Sequence, residues 1–119
     1  MIELLPETQG NVIAVRMSGT VTETDMDDYF GKAEEIFLQE RVEHLLLDWS
    51  RLDGWAPGAR SVGTWFGMHH RSLVGRVAVV ADDQWADETL RIADIFQAAT
   101  VQRFSASARD QAFKWIREG

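Results

Sequence analysis

The amino-acid sequence predicts a single α/β domain built on a mainly parallel sheet, and three observations carry that prediction. Leu45-Leu46-Leu47 opens one continuous apolar run, and Val77-Ala78-Val79-Val80-Ala81 forms another. Runs of this length fit strands covered on both faces, as in sheets with helices above and below. Segments of helical periodicity lie between the strand-like runs, so the two kinds of element alternate. The chain has 119 residues, of which 45% are hydrophobic, enough for one domain with one core.

Ile2 to Leu5 is a short apolar segment ended by Pro6, and Gln9-Gly10-Asn11 is a turn signal. Val12 to Met17 is rich in β-branched residues and strand-like. Two strands joined so closely predict a hairpin at the sheet edge, closed at Gly19. Thr22-Glu23-Thr24-Asp25 predicts a helix start, because Thr22 or Thr24 can cap and each has an Asp three residues later. Acidic residues at 23, 25, 27 and 28 suit the positive end of a helix dipole. Met26, Tyr29, Phe30, Ala33 and Phe37 recur at helical spacing, with Ile36 widening the stripe. One amphipathic helix ending near Arg41 is expected, its stripe belonging to the core.

The central strand runs from about Glu43 to Trp49. Asp48 falls where it should end, and Asp53-Gly54 is a turn signal, so Asp48, Asp53 and Gly54 are expected to shape the following loop. Pro57 fits the first turn of a second helix. Val62, Trp65, Phe66, His69 and Leu73 share one face of it, and Gly75 stops it. Arg76 to Ala81 is the second buried strand. Asp82 and Asp83 can cap a third helix that turns Trp85, Thr89, Ile92, Ala93 and Phe96 inward. Thr100 to Phe104 alternates more and is expected nearer an edge. Ser107 with Asp110 can cap a last helix that turns Ala108, Ala112, Trp115 and Ile116 inward. The predicted order is β-β-α-β-α-β-α-β-α with right-handed crossovers. No repeat, linker or low-complexity segment divides residues 1–119, so they form one domain.

The formal net charge is −7. Such a surface repels phosphate backbones, and nucleic acid is not an expected partner. The absence of cysteine excludes disulfides and thiolate chemistry. The opening residues do not resemble a signal peptide and no apolar run is long enough to span a bilayer, so the expected location is the cytoplasm. The charge is uneven. Gly54 to Ala81 contains no acidic residue but holds Arg60, Arg71 and Arg76 with His69 and His70.

Neither the histidines nor the acids form a recognisable reaction centre. Adjacent helical residues point about 100° apart, so His69 and His70 are badly placed to share a metal, and zinc helices use an i, i+4 pair. Asp48 and Asp53 have no Ser-His-Asp or Gly-rich nucleophile motif beside them, and Gly58, Gly63 and Gly67 fit neither phosphate-binding fingerprint. No catalytic residue, metal or cofactor is expected.

Five tryptophans in 119 residues are many. Trp85 and Trp115 sit on helical stripes and are expected in the core, whereas Trp55 and Trp65 point to binding. Trp55 lies in a Gly-bounded turn, and Trp65-Phe66 share their helix with Gly63 and Gly67, each costing about 1 kcal/mol relative to Ala. A helix so built is able to tilt from the sheet. Trp49, Trp55, Val62, Trp65, Phe66 and His69 are the expected contacts to an apolar ligand or membrane. Arg60 and Arg71 would meet a ligand carboxylate or anionic headgroups. The competing reading makes Trp65, Phe66 and His69 plain core. A hairpin at the sheet edge together with exposed aromatics predicts a two-fold homodimer.

The whole pattern resembles the SpoIIAA-like family of STAS domains. The likeness rests on Met1 to Pro6, Gly10-Asn11-Val12, Leu46-Leu47-Asp48 with Asp53-Gly54-Trp55, His69-His70 before Val77-Ala78-Val79-Val80, and Trp85 after it. It implies a STAS fold, similar to lipid-binding folds of the CRAL-TRIO class, and a non-enzymatic binder of small apolar or lipid-like molecules, with peripheral membrane association. It also implies an alternative, a protein-interaction module. STAS antagonists of anti-sigma factors carry a phosphorylatable serine in the loop after the central strand. Here that loop is Gly54-Trp55-Ala56-Pro57-Gly58, with Pro where the phosphoserine would sit, so the phospho-switch does not carry over.

Overall fold

The computed structural model of the chain describes residues 1–8, 11–39, 44–61, 74–96 and 99–118. The expected order of elements is present throughout these residues. Strand β1 (Ile2–Leu4) leads to β2 (Val12–Val21), helix α1 (Glu23–Gln39), β3 (His44–Trp55), β4 (Arg76–Val80), α2 (Ala86–Ile95), β5 (Thr100–Phe104) and α3 (Arg109–Arg117). Residues 59–61 are helical, where the sequence predicts the second helix. Its remainder, with Val62, Trp65, Phe66, His69, His70, Arg71 and Leu73, lies outside the described residues.

The five strands pair in the order β1-β2-β3-β4-β5. β1 is antiparallel to β2, which gives the predicted edge hairpin, and every other pair is parallel. β3 is therefore central, and Leu45, Leu46 and Leu47 are all buried. Side chains alternate between the sheet's two faces. Ile13, Val15, Leu45, Leu47, Val77 and Val79 face α1 and α2, whereas Ala14, Leu46, Ala78 and Val80 face Ala112, Phe113 and Ile116 of α3.

Local chemistry fixes the helix ends. Thr22 caps α1: its Oγ1 accepts the Asp25 amide at 3.1 Å, and the Asp25 carboxylate accepts the Thr22 amide at 3.0 Å. This is a capping box with Asp in the usual Glu position. The other two caps differ from expectation. Asp82 precedes a 3₁₀ turn, Asp83–Trp85, without a side-chain capping bond, and α2 starts only at Ala86. Ser107 lies in another 3₁₀ turn, where its hydroxyl meets that of Ser105 at 3.0 Å, and Ala108 precedes α3. In both places the tight turn satisfies the first amides through backbone carbonyls, so no side-chain cap is needed.

Two expected strand ends are not ends. β2 continues past Gly19, which adopts φ +64° inside the strand. β3 continues past Asp48 and through Asp53-Gly54 to Trp55. The reason lies in the register. β3 pairs with β4 only as far as Asp48↔Val80, but with β2 as far as Val21↔Trp55. The register shifts at Arg16/Ser18 and again at Gly19/Thr20, and each time β3 carries one residue more than β2. These are β-bulges, which accommodate turn-type residues without ending a strand. Each bulge also reverses the alternation. Trp49, Leu52 and Trp55, three residues apart, consequently all pack on the face covered by α1 and α2.

Pro57 is likewise not in a helix. The Ala59 amide bonds to the Ala56 carbonyl at 3.2 Å, and Gly58 has φ +88°. Pro at the second and a positive-φ Gly at the third position describe a type II turn. A Cβ on Gly58 would also stand 2.5 Å from Glu23 Oε2. Gly58→Ala should therefore cost about 1–3 kcal/mol, read as a lower midpoint in urea unfolding. A neutral substitution would show that the turn is not built this way.

Candidate functional site

The bulged end of β3 shapes one side of a cavity between the sheet, α1 and α2. It is lined from the strands by Ile13, Val15, Leu47 and Trp49, and from α1 by Tyr29 and Ala33. Trp55, Ile92, Ile95 and Phe96 continue this apolar wall. The volume is about 60 Å³, room for roughly four to six water-sized groups. An acyl chain needs several times that space, since drug-sized sites run to about 300 Å³ or more.

Aromatic packing holds the wall. Trp49 and Trp55 meet edge to face at 5.3 Å, and Trp55 and Trp85 do so at 5.2 Å. Trp55, expected in a Gly-bounded turn, is instead the last residue of β3, partly buried between two other indoles. Trp49 faces the same cluster. Tyr29 OH and Trp49 Nε1 are buried and have no hydrogen-bond partner among the described residues. Burial raises the Tyr29 phenol well above its ordinary pKa.

The charged groups of the cavity belong to one cluster. Arg60 pairs with Glu88 at 2.7 Å, lies 5.1 Å over the Trp55 ring, and offers its carbonyl to Arg91 at 3.4 Å. Arg91 also approaches Glu88 at 3.8 Å. These contacts tie the residues after the Gly58 turn to α2. Arg76, further along the acid-free segment, donates to the Trp115 carbonyl at 2.7 Å at the end of α3, where a cation is favoured. Arg60 and Arg76 are thus engaged within the fold. Arg71 lies outside the described residues.

Asp48, expected at the end of the central strand, is fully buried within β3 on the opposite face. One carboxylate oxygen accepts from Arg16 Nε at 3.2 Å and Arg109 Nε at 3.1 Å. The other accepts the Ser50 amide at 3.0 Å and the Ser50 hydroxyl at 2.6 Å. Burial pushes the Asp48 pKa up, but the Ser50 and arginine donors outweigh it and leave it lowered. Asp48 therefore holds the first bulge and pins α3 through Arg109. Asp53 and Gly54 sit in the second bulge, away from this network. Asp48, Asp53 and Gly54 consequently shape a strand rather than a loop.

Of the expected site residues, the structure brings Trp49, Trp55 and Arg60 to one cavity, together with Tyr29, Glu88 and Arg91, which the sequence reading does not name for it. Tyr29 was hidden because its helical stripe is indistinguishable from core until its hydroxyl is seen without a partner. Arg16 and Arg109 were also missed. Arg16, a charge inside a β-branched run, was the one available signal that a buried partner exists.

A family model described as SpoIIAA-like matches residues 12–117. No curated protein matches the chain in sequence. Among solved structures, a protein of Shewanella loihica PV-4 with a SpoIIAA-like fold is 20% identical, with a TM-score of 0.76 over 98% of this chain and 92% of that one. The anti-sigma factor antagonist SpoIIAA in its unphosphorylated form is 14% identical, with a TM-score of 0.69 and 98% of each chain covered. The Bacillus cell fate determinant SpoIIAA in its phosphorylated form is 9% identical, with a TM-score of 0.67 over 93% of this chain and 97% of that one. At such identities the likeness is one of fold.

Proposed function

The chain belongs to the SpoIIAA-like family, and from that premise we propose a non-enzymatic binding protein that holds a small, mainly apolar molecule inside the domain. The observation that supports this is the cavity walled by Trp49, Trp55, Tyr29 and the aliphatic residues of β2 and β3. Apolar cavities with packed walls take up small hydrophobic molecules readily. This reading puts the site inside the fold, supported by the position of the cavity between the sheet, α1 and α2 and by the pairing of Arg60 with Glu88. No helix among the described residues is long and apolar enough to cross a membrane. A lipid-like ligand would have to be short, or bind with the acyl chain outside a cavity of about 60 Å³.

Titration of ¹⁵N-labelled protein with dichloromethane, a probe of three non-hydrogen atoms, tests this reading. A saturable shift of the Trp49 and Trp55 indole signals is expected. Absence of any shift at millimolar dichloromethane would count against it.

A second reading is an interaction module of the STAS type, favoured by the fold shared with the anti-sigma factor antagonist SpoIIAA. Such a module would work without the loop phosphoserine. No hydroxyl side chain lies between Arg51 and Arg60. A serine kinase of the anti-sigma type should leave these residues unmodified in phosphopeptide mapping. Phosphate at the neighbouring Ser50 with altered partner binding would contradict that expectation.

A further inference from the structure

The cavity has a charged mouth. Deep in its wall Ile13, Val15, Ala33 and Trp49 are buried. Arg60, Glu88 and Arg91 line it as well, and the two arginine side chains are 52% and 40% exposed. The end of the cavity that meets solvent is therefore at this cluster.

The charges at the mouth do not balance. Among the described residues that line the cavity, the charged ones are Arg60, Glu88 and Arg91, which sum to +1. Glu88 lies between the two guanidiniums, 2.7 Å from Arg60 and 3.8 Å from Arg91. The chain that continues from Arg60 adds nothing to offset this, since Gly54 to Ala81 contains no acid. A guanidinium presents a planar fork of five N–H donors, shaped to meet a carboxylate. A second carboxylate at the mouth would make the charges even. Behind the mouth the wall is apolar, and its volume of about 60 Å³ admits a tail of about three carbons. We infer that the site takes a short-chain carboxylate of about four carbons, with its alkyl tail in the cavity and its carboxylate at Arg60 and Arg91. This inference rests on the binding reading above and adds the chemical class of the ligand.

The test varies head and tail separately. Butyrate, its neutral isostere butyramide, and acetate are each titrated into ¹⁵N-labelled protein at one ionic strength, while the Trp49 and Trp55 indole signals are followed. Butyrate is expected to move these signals saturably. It should bind about two- to fivefold more tightly than butyramide, the worth of a partly exposed ion pair. Arg91→Gln, a change on the exposed side of α2, should reduce that preference. Butyrate should also bind about tenfold more tightly than acetate, which lacks two methylenes to bury. Equal affinity for butyrate and butyramide, unchanged in Arg91→Gln, would overturn the carboxylate class while leaving the binding reading intact. Equal affinity for acetate and butyrate would mean binding at the mouth alone and would overturn the place of the tail. No response to these three or to dichloromethane would overturn both readings.

Discussion

Replacing Asp48 by Ala should destabilise the fold by about 3 kcal/mol at neutral pH, the scale of a broken buried ion pair. The carboxylate is fully buried and accepts four hydrogen bonds. Its removal leaves Arg16 and Arg109, only 20% and 29% exposed, without their shared anion, Arg109 keeping only the longer pair with Glu7 at 3.7 Å. It also leaves the Ser50 amide of the first bulge without its acceptor. The pH dependence follows from the same contacts. The folded carboxyl titrates below the ordinary value of 3.8. A group whose pKa is depressed on folding contributes stability above its unfolded value, and that contribution fades as pH falls through the folded one. Native protein should therefore lose stability as pH drops below about 4, and Asp48→Asn should remove the part of that loss due to this residue. Urea unfolding at pH 7 and pH 3 measures both. An Asp48→Ala variant within about 0.5 kcal/mol of native, the range of an ordinary surface change, would mean that the network contributes little.

Leu46→Ala should cost about 2–5 kcal/mol. Leu46 is wholly buried at the centre of β3, between Ala14 and Ala78 in register and under α3. Its two strand neighbours are alanines, too small to close over the space left behind, which favours the upper half of that range. Loss below about 1 kcal/mol would require that α3 collapse onto the sheet, because residual cavity volume sets the cost.

The parts of this fold legible in the sequence were those with short-range causes. Three successive leucines announce a strand buried on both faces, and Thr22 with Asp25 announces a helix start. The bulges were not legible. Asp53-Gly54 signals a break in regular pairing, but the same residues serve a turn or a bulge, and only the β2 register decides which. That ambiguity hid the face of Trp55, because an extra residue reverses the alternation. The caps at Asp82 and Ser107 failed for a related reason: a 3₁₀ turn can do the work of a side chain. The cavity was visible only as an excess of aromatics near β3. Its walls from α1, α2, β2 and β3 come together through packing that no local pattern encodes.

Ala33 offers the most direct test of the binding account. It is 1% exposed on α1 and lines the cavity, so Ala33→Leu would fill the space with a side chain of the same apolar kind. Dichloromethane should perturb the Trp49 and Trp55 indole signals of the native protein saturably. Ala33→Leu, folded by its backbone spectrum, should show no such response. Equal perturbation in both proteins would place binding elsewhere, and no perturbation of the native protein would contradict the cavity as a ligand site.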